Sequence, residues 1–323
     1  MFLFRGLPLP FNYTILLCFT TLIVNHAFCQ DIGSRNRPFR IAIVPSIHSN
    51  KSLEKPSEFS KCLEDESQMR INISVPSSYI AIVEALGSKK IDLAYGDITS
   101  FKLAEKYGVE ALLGTTHNLR KNYHSMILVR SSDSSLKKIK DLNGKTFAYS
   151  DTSSSSSYIL PQIQMKLEKV KFSQTVSTGS MDAAILALVQ NKVEAAGAFY
   201  DAPTKKGGPI HDARRNLIKI LPNILETTKI LWISKKIPNE PIMIRTSIPK
   251  NVRSSIKKAI INCTKKYPRL INNIDSVYEI DPKYNEYKAF LDFIDRNWIH
   301  KPSKSSQKTF PEKKTMNFIN KKG

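Results

Sequence analysis

The sequence predicts an α/β fold of two lobes, each a mainly parallel sheet flanked by helices, with two hinge crossings. Three observations predict it. Short β-rich apolar runs alternate with helical stretches, the pattern of βαβ units. The alternation occurs twice, over segments of similar length. And one helix–turn–strand pattern returns: YIAIVEALGSKKIDLAYGD in the first half matches MDAAILALVQNKVEAAGAFYD in the second when Tyr79 is set on Met181, an offset of 102 positions.

Each element has its own reason. Phe39–Pro45 (FRIAIVP) follows a polar stretch and is a buried strand. A helix is expected around Ser57–Ser67. Ile71–Val75 alternates as a second strand. Tyr79–Leu86 is helical, with Ile82, Val83 and Leu86 on one face, and Ile91–Ala94 is a strand ending near Asp97. Met126–Val129 is a strand. Leu136–Leu142 is a short helix closed by the Asn143-Gly144 turn. Then come a strand at Thr146–Tyr149, a helix at Tyr158–Leu167, a strand at Val176–Thr178, a helix at Ala183–Gln190 and a strand at Val193–Ala198. Ile230–Ser234 is a further strand. The remainder to Trp298 reads as helical and polar, packed back on the first lobe. The domain boundaries expected are 38–130 plus 231–300 for lobe one and 131–230 for lobe two, with crossings near Val129–Asp133 and Thr227–Ile230.

The ends carry different information. Arg5 precedes an apolar run from Ile15 to Val24, and Ala27 and Cys29 fit the small-residue spacing of a cleavage site, so residues 1–29 read as a secretion signal. A lipid anchor on Cys29 is the alternative. Residues 301–323 hold seven lysines against Glu312 alone and read as a disordered basic tail. The mature protein is therefore expected outside the cytoplasm, in the periplasm. There Cys62 and Cys263 either pair or sit as two separate buried thiols.

The formal charge is +21, which raises nucleic acid as a partner. The lysines are scattered instead of gathered on one stripe, so a solvated surface that steers anions inward is the expectation, with no nucleic acid partner. His48, His117, His124 and His211 have no cysteine or second histidine at metal spacing, so neither metal nor cofactor is expected. No Gly-x-Ser-x-Gly elbow exists and no histidine stands out as a base, so no enzyme is expected and no catalytic residue is assigned.

Asp151–Pro161 (DTSSSSSYILP) carries the strongest chemical signal. A strand runs into serines that open a helix. Unsatisfied N–H groups at a helix start carry partial positive charge, and serine hydroxyls add donors without bulk. An oxyanion fits such a place. A plain cap and linker is the bland alternative, disfavoured because the run lies between a strand and a helix inside one unit.

The order of motifs resembles the phosphate/phosphite/phosphonate substrate-binding proteins of ABC transporters, from about Phe39 to Arg245. Tyr158 and Pro161 fix the match to the family's hydroxyl loop. The resemblance implies a type II periplasmic binding protein in which Ser154, Ser155 and Ser156 bind the phosphonate group. Tyr79 would be an oxyanion-binding phenol. The NYHSMILV strand would put Tyr123 in the cleft. LWISKKIPNEPIMIR would place Glu240 at an amine-contacting carboxylate, with Asp201 a second. One departure stands out: Met181 occupies the place of a family histidine that donates to the oxyanion, and methionine is no useful donor. The resemblance thus implies a monomeric, exported binding protein that captures a phosphorus oxyanion, by its motifs a phosphonate, between its lobes for a membrane permease. The rivals are a protein for another small anion or an organophosphate, favoured by Met181, and a ligand-sensing partner protein.

Overall fold

The computed structural model of the chain describes residues 32–43, 55–76, 78–203, 208–269, 274–280 and 285–299. The expected leader over residues 1–29 and the tail over 301–323 lie outside them, as do Cys18, Cys29 and His48.

In chain order the elements are β1 (Phe39–Ile43), α1 (Lys55–Ser67), β2 (Ile71–Ser74), α2 (Tyr79–Gly87), β3 (Leu93–Tyr95), α3 (Ile98–Glu105), β4 (Val109–Thr116) and β5 (Asn122–Arg130). A 3₁₀ turn at Ile139–Leu142 and β6 (Thr146–Tyr149) follow. A π turn at Ser155–Ile159 leads into α4 (Leu160–Leu167), then β7 (Gln174–Ser177), α5 (Met181–Val189) and β8 (Ala195–Tyr200). After a 3₁₀ turn at Ala213–Asn216 come α6 (Ile224–Thr227), β9 (Thr228–Ile233), β10 (Ile237–Pro238), β11 (Ile242–Arg245), α7 (Lys250–Lys266), β12 (Ser276–Tyr278), α8 (Asn285–Ile294) and a second π turn at Asp295–Ile299.

These form two compact units. Among the described residues the first takes those within 32–123, 201–222 and 239–280; the second takes those within 124–200, 223–238 and 285–299. The divisions therefore fall at 123/124 and 238/239, not at 130/131 and 230/231 as expected. The reason is strand pairing: β5 and β9 bond to each other, and β5 to β8, so β9 and all of β5 from His124 onward go with the second unit. Two other expectations on boundaries change. Asp201–Pro222 belongs to the first unit, and α8 with its π turn belongs to the second.

Each unit is built on one sheet. In the first the order is β12-β4-β11-β3-β1-β2. The βαβ part is parallel, β2 with β1 and β1 with β3, whereas β11 runs antiparallel between β3 and β4. The second has the order β10-β5-β8-β6-β7, with β9 also on β5. There β6 is parallel to β7 and β8, and β5 is antiparallel to β8 and β9. Both sheets are thus mixed: β11 in the first and β5 in the second run against the parallel strands. The segment expected to be helical after Ser234 supplies β11, whose four residues are all buried in the middle of the first sheet. Continuous burial on both faces is what a central strand shows.

The core of the first unit joins Phe39, Ile41, Leu93 and Ile244 of the sheet to Leu63 of α1 and Ile256 and Ile260 of α7. Cys62 and Cys263 form a disulfide across those two helices, with Cα atoms 6.0 Å apart and 201 residues between them in sequence. That decides between the two states left open for these cysteines. The second core gathers Ile127, Val129, Phe147, Tyr149 and Met165.

Candidate functional site: two strand edges

In the second unit the serine run leaves the carboxyl end of β6. All five serines are buried, none more than 5% exposed, which is not how a linker behaves. Ser154 caps the π turn: its side chain accepts from the Ser157 N–H at 3.2 Å, and its carbonyl accepts from the N–H groups of Tyr158 and Ile159. The Ser157 hydroxyl turns inward to Ser150, accepting from its N–H at 2.9 Å and sharing a 2.7 Å bond with its hydroxyl. Ser125 of β5 donates to the Ser156 carbonyl at 2.6 Å. Gly197 of β8 lets the run lie this close, since a Cβ there would stand 2.0 Å from the Ser157 carbonyl oxygen. Pro161 sits in the first turn of α4, where a missing N–H costs nothing. Among the described residues, the Ser156 N–H and hydroxyl have no partner in the protein.

Met181 stands beside this loop along the same edge. The chain before it, Thr178 and Gly179, donates from its N–H groups to the carbonyls of Tyr149 and Ser150. Ser180 caps α5, accepting from the Ala183 N–H at 3.1 Å, and Met181 is the first helical residue and buried. Two helix starts therefore leave neighbouring parallel strands side by side, the place where open α/β sheets bind ligands. An aromatic series backs the loop. Phe172 stacks on Phe147 at 4.6 Å, Tyr149 lies 4.2 Å from Tyr158, and Trp298 meets Tyr158 edge-on at 5.7 Å.

The first unit holds Tyr79, Tyr123, Asp201 and Glu240. Tyr79 opens α2 behind the Ser78 cap, and Tyr123 lies at the start of β5. Both phenols are near enough to Tyr95, the last residue of β3, to oppose its ionisation. Burial is the larger reason that the Tyr95 pKa is raised, and the Glu240 carboxylate is next. Tyr95 donates to Glu240 Oε2 at 3.3 Å, and His117 Nε2 lies 3.1 Å from the same oxygen. Burial alone would raise the Glu240 carboxyl. The hydrogen bond and charge of His117, the backbone and Tyr95 together outweigh it and hold the carboxyl below its ordinary value.

Asp201 follows β8 and is buried. Asn118 donates to its Oδ2 at 2.7 Å, and Arg120 grips its Oδ1 while reaching the carbonyls of Ala202 and Pro203. Neither acid is an ordinary solvated loop charge. Tyr95, His117, Asn118 and Arg120 were missed as site residues from sequence. Tyr95-Gly96-Asp97 at a strand end and Asn118 in a turn between two apolar runs were the available signals. His124 instead bonds the Ser234 carbonyl at 2.8 Å through Nδ1. Among the described residues no group of three acids, cysteines or histidines could hold a metal ion, and no helix is long and apolar enough to cross a membrane.

Comparison with known proteins places this architecture. A family model for the ABC transporter, phosphonate, periplasmic substrate-binding protein matches residues 41–295. The phosphonates-binding periplasmic protein of Escherichia coli K12 is 22% identical over 216 residues, 63% of this chain; the match spans 60% of that relative's length. Among solved structures, a binding protein component of an ABC phosphonate transporter from Pseudomonas aeruginosa matches with a TM-score of 0.63 and 17% identity, covering 80% of this chain and 86% of its own. PhnD1 from Prochlorococcus marinus, in complex with methylphosphonate, matches with a TM-score of 0.62 and 18% identity, covering 80% and 97%. At these identities the structures show a shared fold, that of a type II periplasmic binding protein. With the family model covering most of its length, the chain belongs to the phosphonate periplasmic substrate-binding proteins of ABC transporters.

Proposed function

We propose that the protein captures a phosphonate or a related phosphorus oxyanion and delivers it to the membrane permease of an ABC transporter. The observation that carries this reading is the serine-lined helix start. It is buried and pinned from behind, and Ser156 keeps both an N–H and a hydroxyl uncommitted. Such a start offers an oxyanion donors already in place, together with the positive end of a helix. Each hydrogen bond to a charged oxygen contributes about 1.5–3 kcal/mol. In this reading Ser154, Ser155 and Ser156 hold the oxyanion, and Tyr79 and Tyr123 are the phenol candidates of the first unit. Met181 borders the oxyanion without donating to it, and Glu240 and Asp201 are the acidic candidates of the first unit. The work is capture and release by an exported monomer, without a covalent step, with nucleic acid playing no part.

A second reading, a different small anion or an organophosphate, is favoured by Met181, which brings an apolar side chain where a donor would strengthen phosphonate binding. A thermal-shift panel separates the two. Phosphate, phosphite, methylphosphonate, aminoethylphosphonate, sulfate and thiamine phosphates are added to the purified protein, and a bound ligand raises the melting point. The expected result is stabilisation by a phosphonate or phosphite. Ser155→Ala and Ser156→Ala should each weaken the best ligand about tenfold or more. Unchanged affinity in both variants would sink the site assignment.

A further inference from the structure

One four-residue turn in the first unit supplies a partner to each of its two edge acids. His117 and Arg120 bond to each other through both backbone pairs, N–H to carbonyl at 3.0 and 2.9 Å. Asn118 and Leu119 between them take positive φ values of 51° and 61°. From this turn His117 reaches Glu240, while Asn118 and Arg120 take the two oxygens of Asp201. The turn is stapled to the segment that carries Glu240, between β10 and β11. Asn239 donates from Nδ2 to the Arg120 carbonyl at 2.7 Å and from its N–H to the Lys121 carbonyl at 2.9 Å. The half-buried guanidinium of Arg215 also lies in the field of Asp201. Each carboxylate is therefore matched within the protein before any ligand arrives.

We propose that the His117–Arg120 turn cancels the charge of Glu240 and Asp201, and so restricts the ligand's organic substituent to one without a positive charge. This rests on the function proposed above. An ammonium group entering such an edge loses its hydration and needs a carboxylate whose charge is uncompensated. Here it would meet acids already paired, and would stand close to the Arg120 guanidinium, which repels it. A methyl or hydrogen substituent has no such requirement and fits beside phenol rings. The substrate class is accordingly a phosphonate or phosphite without an amine.

Titration calorimetry with methylphosphonate and aminoethylphosphonate tests this on the purified protein. The wild type should bind methylphosphonate at least tenfold more tightly. Arg120→Gln and His117→Gln, which keep donors but remove charge, should each move the ratio of the two affinities tenfold or more toward the amine. A thermal melt checks folding, and if Arg120→Gln does not fold, His117→Gln decides. A wild-type preference for the amine, or a ratio that no folded variant moves, overturns the inference and leaves the proposed function standing. Failure of both ligands to bind the wild type overturns the two together.

Discussion

The two βα halves can be laid on one another at the same offset that aligns Tyr79 with Met181, and their backbones agree bond for bond. Ser78 and Ser180 both cap, accepting from Ala81 and Ala183 at 3.2 and 3.1 Å. Lys89 and Asn191 both take a φ of 59° just past the helix, and the Lys90 and Lys192 N–H groups return to Ala85 and Ala187 at 2.8 and 2.9 Å. Asp92 and Glu194 then each accept from the backbone of the neighbouring parallel strand, at Arg40 and Thr146. What surrounds these positions differs. Asp92 is fully buried and salt-bridged to Arg37, Arg40 and Arg245, whereas Glu194 is half-buried and bonds only within Thr146. The first unit has a disulfide, and among the described residues the second has none. A frame set by caps and a left-handed turn residue is thus indifferent to the charge lodged in it. Stability and chemistry were placed on it separately.

The comparison can be broken most severely at the disulfide. Closing so long a loop restricts the unfolded chain, which is worth about 5 kcal/mol in the loop-entropy account. Cys62→Ser with Cys263→Ser should therefore lower the urea midpoint of the first unit. Both tryptophans, Trp232 and Trp298, lie in the second unit. Circular dichroism should accordingly shift while tryptophan fluorescence keeps its midpoint; equal shifts in both signals would show that the units do not unfold independently.

Asp92 and Glu194 sharpen the contrast. Removing one partner of a buried ion cluster costs about 3–5 kcal/mol, which is the loss expected for Asp92→Asn. Glu194→Gln removes the charge from two partly exposed bonds donated by Thr146, about 1 kcal/mol. Chemical denaturation measures both, and similar losses would refute the difference. The pH dependence carries the same sign for the two. Burial would raise the Asp92 carboxyl, but its three arginines hold it well below the ordinary range. Its stabilisation is therefore complete above the unfolded value, about 4, and disappears as pH falls toward the depressed folded one. Asp92→Asn should flatten the acid limb of a melting-point profile more than Glu194→Gln does.

At the helix starts the expected effect is on binding. Met181→His restores a donor where the first unit has a phenol. On the proposed reading this should tighten phosphonate binding about tenfold to a hundredfold. Calorimetry against methylphosphonate measures it, and weaker binding would mean that Met181 does not face the oxyanion.

Much of this molecule was legible in the chain. Caps, turn residues and the period of apolar positions act over a few residues, so β6, α2 and α5 could be placed closely, and the repeat with them. Strand β11 could not. Its four residues resemble any short apolar run, and only their neighbours β3 and β4 make them a central strand. The same holds at the candidate site. The serine run announced itself because a helix start needs only its own residues. The matching of Glu240 by His117 and of Asp201 by Arg120 joins residues far apart in sequence or on opposite sides of a whole domain.

By itself the sequence determined the α/β class, the doubled βα unit, the hydroxyl-lined helix start and the family resemblance, because local backbone preferences and short motifs suffice for each. The tertiary structure decided where the units divide, that Cys62 and Cys263 pair, and that Glu240 has His117 and Asp201 has Asn118 and Arg120 as partners. Those facts depend on distance in space, and pairing across up to 201 residues leaves no local trace in the chain.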